Sequence, residues 1–136
     1  MENRDLNAKA GRIAVVTGAT GGIGRELVQR MLGRGYRVII LSRQPAADRP
    51  GVTGVICDLT DMGSVRTAAA RIASHSPVVD VLVHCAGVIT PQNVGELDSR
   101  HTAEQIAVDL SAPIELTNAL LPAIRDGGHI VFVHSM

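Results

Sequence analysis

The sequence is poor in aromatic residues and has no long apolar run. It contains no tryptophan and only one tyrosine and one phenylalanine, so its core has to consist of Val, Ile, Leu and Ala. That composition is typical of a buried parallel sheet covered by helices. No apolar run approaches the roughly 18 residues that a membrane-spanning helix needs, and residues 1–5 lack the apolar segment of a secretory signal. We therefore expect a cytoplasmic protein without a membrane partner.

Neither sign of charge is in excess. The 13 basic residues balance the 13 acidic ones, and a net charge of zero argues against nucleic acid as the main partner. Cysteine is scarce too, because only Cys57 and Cys85 are present, both at the ends of predicted strands. In a cytoplasmic chain we expect these to be reduced core thiols. No metal site is predicted, since no further ligands stand at metal-binding spacing.

The most informative stretch is glycine-rich and lies between an apolar strand, predicted over residues 12–17, and a helix predicted over 22–33. Gly18 lets the chain leave the strand in a conformation that a Cβ would resist, Gly22 allows a phosphate to approach the backbone, and Gly24 lets the helix pack against the strand. Amides of the first helical turn then point at the anion. The pattern predicts the pyrophosphate site of a dinucleotide, with an ordinary glycine-rich loop as the alternative. The predicted contacts are Gly18, Thr20, Gly21, Gly22, Ile23 and Gly24.

Strands and helices alternate along the rest of the chain. Further strands are predicted over residues 36–41, 52–57, 78–84 and 129–134, with loops over 44–51 and 88–99. One helix should run to residue 73 from a cap at Thr60 or Asp61. Another should run from 101 to 124, with a kink or restart at Pro113 and a stop at Gly127-Gly128.

This alternation predicts right-handed βαβ crossovers and one doubly wound parallel sheet of the Rossmann type, with strand order 3-2-1-4-5. The order reverses between strands one and four, so the ligand crevice should lie at their carboxyl ends. Residues 12–136 are predicted to form this dinucleotide-binding domain, which ends after strand five, and residues 1–11 are predicted to be a flexible N-terminus.

Three segments are predicted to flank the crevice. Ser42-Arg43 close strand two, where an acid selects NAD and a basic group accommodates the 2′-phosphate of NADP. Because no carboxylate stands there, Arg43 can grip the phosphate or stack on the adenine; a solvated surface arginine is the alternative. Asp58 can accept from the adenine amino group, cap the next helix, or do both. Cys85-Ala86-Gly87 offer small residues where backbone passes close to a ribose or nicotinamide, although a tight turn explains them equally.

Five segments resemble the short-chain dehydrogenase/reductase family in their order and approximate spacing. They are TGATGGIG (residues 17–24), CDLTD (57–61), HCAG (84–87), VDLSAP (108–113) and GHIVFVHS (128–135), so the resemblance covers nearly the whole chain from residue 12. It implies an NADP(H)-dependent oxidoreductase that interconverts a carbonyl and an alcohol on a small-molecule substrate. NAD(H) is the less favoured cofactor, because Ser42-Arg43 are similar to the family's NADP(H)-preferring pattern.

The resemblance also assigns roles to residues. Residues 17–24 are similar to the TGxxxGxG pyrophosphate turn, although Gly18, Gly21 and Gly24 also fit the TGxxGxxG spacing of the longer-chain branch. The family's adenine-binding Asp corresponds to Asp58, with Leu59 beside it, and Cys85-Ala86-Gly87 are similar to the tail of the NNAG motif. Ser135 matches the serine that hydrogen-bonds the substrate carbonyl.

Two positions depart from the family pattern at the predicted active site. His84 replaces the first Asn of NNAG, which we interpret as tolerable. Asp109 stands where the family has the Asn that supports a proton relay, and it is therefore a candidate catalytic residue. If buried, this carboxylate must ionise beside a cation or stay protonated. The alternative is a partly exposed helix acid.

The third departure concerns the family's Tyr-x-x-x-Lys pair, which supplies the general acid. The only tyrosine and lysine are Tyr36 and Lys9, both upstream of Ser135. Acid–base groups contribute roughly 10²–10⁴ in rate, so we expect feeble hydride transfer by this polypeptide alone. The chain is thus interpreted as the amino-terminal part of the enzyme. The rival hypothesis is a non-catalytic NADP(H)-binding module with a sensing or partner-binding role.

The end of the sequence also suggests how the chain associates. The outer edge of strand five and the apolar face of the helices over 101–124 should be left uncovered. We therefore predict a homo-oligomer, most simply a dimer formed through that surface.

Overall fold

A computed structural model describes residues 11–47, 49–76 and 78–135. The strands are β1 (Ile13–Thr17), β2 (Arg37–Ser42), β3 (Val52–Ile56), β4 (Val79–His84) and β5 (Ile124–Phe132). The helices are α1 (Gly22–Gly33), α2 (Met62–His75), α3 (Ser99–Ile106) and α4 (Ala112–Leu120). A π-helical turn (Ala107–Ser111) joins α3 to α4, and a 3₁₀ turn (Leu121–Ala123) follows α4. Apart from Gly11, the predicted flexible N-terminus lies outside the described residues.

All five strands pair in parallel in the order β3-β2-β1-β4-β5, which confirms the predicted Rossmann-like sheet. One face of the sheet packs against α1, mainly through Val16, Val28 and Val83. The other face packs against α2 and α4, through residues such as Ile72 and Leu116. As expected from the composition, the two core layers are aliphatic.

The strand register brings the predicted crevice residues together. At the carboxyl end of β1, Thr17 lies opposite Leu41 of β2 on one side and His84 of β4 on the other. The segments that leave these three strands are therefore neighbours. This is the point at which the strand order reverses, where doubly wound sheets bind their ligands.

Most predicted boundaries of the first four strands agree with the structure to within one residue, and α1 has the predicted bounds. The cap of α2 is Asp61 and not Thr60, because the Asp61 carboxylate accepts from the amides of Gly63 and Ser64. Helix α2 extends two residues beyond the predicted end, to His75.

The predicted helix over 101–124 restarts at Pro113 as expected, because α4 begins at Ala112 with a proline in its first turn. The π-helical turn precedes this restart, and in it the Ala112 amide donates to the Ala107 carbonyl. The predicted end at residue 124 is wrong, since Pro122 has no amide with which to continue the hydrogen-bond ladder and lies in the 3₁₀ turn.

Strand β5 therefore begins at Ile124, not at His129. Ile124 pairs with Val79 before an irregularity in the ladder, and pairing resumes where His129 lies opposite Val81. Gly127 and Gly128 lie inside this irregular stretch and do not stop the helix. Gly127 adopts a φ of +77°, a conformation that glycine accepts readily.

The π-helical turn also changes which apolar residues face the core. Ile106, Leu110 and Ile114, part of the predicted apolar pattern, are all more than half exposed. The residues of this segment that are buried are Val108, Ala112, Pro113, Leu116 and Leu120, and of these Ala112, Leu116 and Leu120 belong to the core layer that covers the sheet. The sequence carries two apolar stripes here, and only one of them contacts the core.

A buried carboxylate links three strands at the amino end of β1. Asp80 of β4 is 8% exposed, and its Oδ2 accepts from the Ile13 amide at 2.8 Å. Its Oδ1 accepts from Arg125 Nη1 of β5, also at 2.8 Å. Burial raises the pKa of Asp80, but the hydrogen bonds from Arg125 and Ile13 and the nearby Arg125 and Arg12 charges outweigh it and hold the pKa below its ordinary value.

We expect Asp80→Ala to lower the free energy of unfolding by about 1–2 kcal/mol, because the Ile13 amide loses its acceptor in a buried setting. Urea denaturation measures this change. The matched control is Asp126→Ala, which removes an exposed carboxylate from β5 and should change stability by less than about 0.5 kcal/mol. Equal losses in the two variants would show that the Asp80 bonds contribute nothing specific.

Candidate cofactor-binding site

The turn between β1 and α1 requires glycine at two positions for reasons internal to the protein. Gly18 has a φ of +69°, and a Cβ there would lie 2.5 Å from the Ala86 nitrogen. A Cβ on Gly24 would overlap the Gly18 carbonyl. These two glycines allow the turn to pack against the segment after β4 and allow α1 to start tightly against the turn.

Gly22 differs, because a Cβ there would meet no atom of the described residues within 4 Å. The first bond of α1 runs from the Arg25 amide to the Gly21 carbonyl at 2.9 Å, so the amides of Gly22, Ile23 and Gly24 have no helical acceptor. Among the described residues, no side chain caps α1, whereas Asp98 caps α3. The turn thus offers open space beside three amide donors, which is the arrangement that binds a diphosphate.

Thr17 holds the segment after β4 against this turn. Its side chain is buried, and its Oγ1 accepts from the amides of Cys85 and Ala86, each at 3.2 Å. We did not predict a site role for Thr17 from the sequence. The feature of the sequence that could have pointed to this role is a single hydroxyl side chain at the end of an otherwise apolar strand.

A cavity of about 150 Å³, which we call the β2–β3 cavity, lies beside the turn at the ends of those strands. Six of the residues predicted to bind cofactor line it: Gly18, Thr20, Ser42, Arg43, Asp58 and Leu59. Cys57, Thr60, Val88 and Glu104 complete most of its wall. The structure thus brings together the segments predicted to contact the adenosine end of a dinucleotide.

Asp58 shapes the floor of the β2–β3 cavity. Its Oδ1 accepts from the Thr60 hydroxyl at 2.7 Å and from the Thr60 amide at 2.9 Å. These bonds, with a smaller effect of the Arg43 charge, lower the pKa of Asp58 below its ordinary value. The carboxylate is therefore ionised at neutral pH and closes the turn before α2. It does not cap that helix, since Asp61 does.

A second cavity of about 280 Å³, the β4–β5 cavity, lies at the ends of β4 and β5. Four predicted residues line it: Ala86, Gly87, Asp109 and Ser135. His84, Gln105 and His134 also line it. Asp109 is partly exposed and accepts from the Val88 amide at 2.8 Å, so the alternative of a partly exposed helix acid describes its burial.

Comparison with known proteins decides the family. The family model for short chain dehydrogenases matches residues 12–136. The chain belongs to the short-chain dehydrogenase family. Within the described residues, no helix has the length and apolar character needed to cross a membrane.

Individual relatives agree with this assignment. The chain is 32% identical over 140 residues to "Dehydrogenase/reductase SDR family member 7B" of Mus musculus, covering 91% of this chain and 43% of that protein. It is 29% identical to "D-threitol dehydrogenase" of Mycolicibacterium smegmatis, over 87% of this chain and 49% of that one. A crystal structure of a short-chain dehydrogenase from Streptomyces avermitilis has a TM-score of 0.84 and 28% identity, over 92% of this chain and 49% of the other. The chain thus spans about half the length of the curated relatives it matches.

His84 places a buried imidazole beside the β4–β5 cavity. The residue is 4% exposed, its Nε2 lies 2.8 Å from Thr117 Oγ1, and its ring stacks on Phe132 at a centroid distance of 4.8 Å. Burial, with a smaller effect of the His134 charge, lowers the pKa of His84 to about 4. The ring is therefore neutral at physiological pH. It can be buried because it carries no charge and forms a hydrogen bond to α4.

Some predicted site residues line neither cavity. Gly21, Gly22, Ile23 and Gly24 form the open turn itself, and the Ile23 side chain is 67% exposed. Cys85 packs against the core layer of α1, and its amide contributes the bond to Thr17. Both cysteines are free thiols, and burial raises the pKa of each, so they are protonated at neutral pH.

Proposed function

We propose that this chain is the cofactor-binding part of an NADP(H)-dependent oxidoreductase that interconverts a carbonyl and an alcohol on a small molecule. The observation that carries the proposal is the uncapped start of α1, whose free amides and open Gly22 lie beside the β2–β3 cavity. Because the chain spans about half the length of its relatives, the catalytic activity is proposed for the whole protein.

The residues present fit a dinucleotide. The amides of Gly22, Ile23 and Gly24 would hold the diphosphate, because α1 begins with unpaired donors and a favourable dipole. Asp58 and Leu59 would hold the adenosine end in the β2–β3 cavity. Val88 lines both this cavity and the β4–β5 cavity, which supports the second cavity as the proposed location of the nicotinamide end.

Ser42 and Arg43 support a preference for NADP(H) over NAD(H). The Ser42 hydroxyl donates to the Gln44 carbonyl at 2.6 Å, which fixes the backbone beside Arg43. Among the described residues that line the β2–β3 cavity, Arg43 is the only cation, and it shares the wall with the carboxylates of Asp58 and Glu104. The discrimination between the two cofactors therefore depends on Arg43.

We expect Arg43→Ala to reduce the ratio of NADPH affinity to NADH affinity by about tenfold, because a charge-assisted bond to the 2′-phosphate is lost. Titration of each nucleotide, followed by nicotinamide emission or calorimetry, measures the ratio. Arg34→Ala is the matched control, since Arg34 is exposed at the other end of α1. A protein that binds NADPH and NADH equally before any substitution would rule out the preference.

The reacting groups are proposed to meet in the β4–β5 cavity. Bound nicotinamide supplies the hydride chemistry, and the protein supplies orientation and a proton path. Ser135 lines this cavity and has a hydroxyl that can donate to a substrate carbonyl oxygen.

Self-association also remains a proposal. Ile106, Leu110 and Ile114 form an exposed apolar stripe that runs from α3 through the π-helical turn to α4, and Phe132 and Val133 are exposed at and just after the end of β5. Exposed apolar surface of this kind supports contact with a second copy of the chain.

A further inference from the structure

Both backbone polar groups of Val88 are held by one helical segment. The Val88 amide donates to Asp109 Oδ1 at 2.8 Å, and the Val88 carbonyl accepts from Gln105 Nε2 at 3.2 Å. Gln105 lies in α3 and Asp109 in the π-helical turn that follows it, four residues later. Both bonds are partly buried. A loop residue that hydrogen-bonds at both ends to the same helix has little freedom to move relative to it.

The position of Val88 gives this contact its significance. Val88 is the described residue that lines the β2–β3 cavity and the β4–β5 cavity at once. It follows Gly87, whose Cβ, if present, would lie 3.7 Å from Asp109 Oδ1. The Val88 peptide is thus part of the wall between the two cavities, so its position controls how one extended molecule can occupy both.

The chemistry of the two side chains explains why both are needed. Asp109 accepts from the Val88 amide through Oδ1, and a carboxylate oxygen offers no N–H group to the Val88 carbonyl. The Gln105 amide provides the missing donor. The side-chain amide of one asparagine carries both an acceptor and donors. Here the two functions come from two residues, because Asp109 supplies the acceptor and Gln105 supplies the donor.

We propose that Gln105 is a positioning residue and that, with Asp109, it holds the Val88 peptide so that a dinucleotide fits across both cavities. Asp109 then acts on the loop and not on the substrate. This inference rests on the proposed cofactor function, and it adds to that function a residue that does not touch the reacting atoms.

The test is a double-mutant cycle in the purified protein that carries this chain, with NADPH affinity as the readout. Gln105→Met removes the donor from a side chain of similar length, and we expect roughly fivefold weaker NADPH binding. When Asp109→Asn is already present, Gln105→Met should weaken NADPH binding by less than about twofold. The side-chain amide introduced at position 109 can then itself donate to the Val88 carbonyl. Gln29→Met, at an exposed position of α1, is the matched control and should have no effect.

Equal losses from Gln105→Met in the two backgrounds would overturn the proposal, since they would mean that Gln105 acts through packing. Unchanged NADPH affinity in Gln105→Met with Asp109 retained would also overturn the proposal. Hydrogen exchange at the Val88 amide in the cofactor-free protein separates this inference from the proposed function. Faster exchange in Gln105→Met supports the positioning role even if the parent protein binds no NADPH, and unchanged exchange contradicts it.

Discussion

Gly22→Ala is expected to weaken NADPH binding about thirtyfold without damage to the fold. The added methyl group meets no atom within 4 Å in the part of the chain that the structure describes, so no contact there opposes it. It does project from the first residue of α1, where the diphosphate is proposed to contact the backbone. Forcing a methyl group into such a contact costs about 2 kcal/mol, which corresponds to the thirtyfold loss.

The fold and the affinity are measured separately. Thermal unfolding should show equal or higher stability for Gly22→Ala, since alanine is a better helix former than glycine by about 1 kcal/mol. Gly33→Ala is the matched control, because a Cβ at Gly33 also meets nothing within 4 Å and the residue ends the same helix. It should gain stability in the same way and bind NADPH normally. Unchanged NADPH affinity in Gly22→Ala would show that the diphosphate does not approach this residue.

The second large effect is a loss of stability at mildly acidic pH caused by His84. The pKa of His84 is about 4 in the folded protein and 6.5 for an ordinary histidine. Between these values the unfolded chain binds a proton that the folded protein does not, so stability rises with pH. The free energy of unfolding is therefore about 3 kcal/mol higher above pH 6.5 than below pH 4. This difference is lost as the pH falls from 6.5 towards 4.

Urea denaturation at a series of pH values between 4 and 7 measures this slope. His84→Asn should remove most of it, because asparagine does not titrate. His129→Asn, at an exposed position of β5, is the matched control, because it retains His84 and should retain the slope that His84 causes. Titration of Asp80 does not contribute to this slope, since its lowered pKa reduces the free energy of unfolding only at pH values below about 4. A wild-type slope in His84→Asn would mean that other groups cause the acid sensitivity.

Features that depend on local chemistry could be predicted from the sequence. Helix α1 has its predicted bounds because Gly21-Gly22 and Gly33 punctuate it at both ends. The strand order followed from the alternation of strands and helices together with the handedness of their connections. The β2–β3 cavity gathers six of the predicted residues, since a parallel sheet places the ends of its strands at one edge.

Features that depend on distant partners could not be predicted in the same way. Gln105 and Val88 are 17 residues apart, and nothing local marks either as a partner of the other. Asp80 and Arg125 are 45 residues apart and meet only because β4 and β5 pair. The end of α4 is a different case, because Pro122 was a local signal that our prediction, which ended the helix at Gly127-Gly128, did not use. The low helix propensity of two glycines opposes a helix less strongly than a proline does, because proline lacks the backbone amide that the helix needs for its next hydrogen bond.

The central claim is that main-chain donors at the start of α1 hold the diphosphate of the cofactor. The most direct measurement follows the amide resonances of Gly22, Ile23 and Gly24 by NMR while NADPH is added. The account predicts that all three shift, and that they reach saturation at the same concentration as the fluorescence of the bound nicotinamide. Saturable NADPH binding that leaves these three resonances in place would contradict it, and so would a failure to bind NADPH at all.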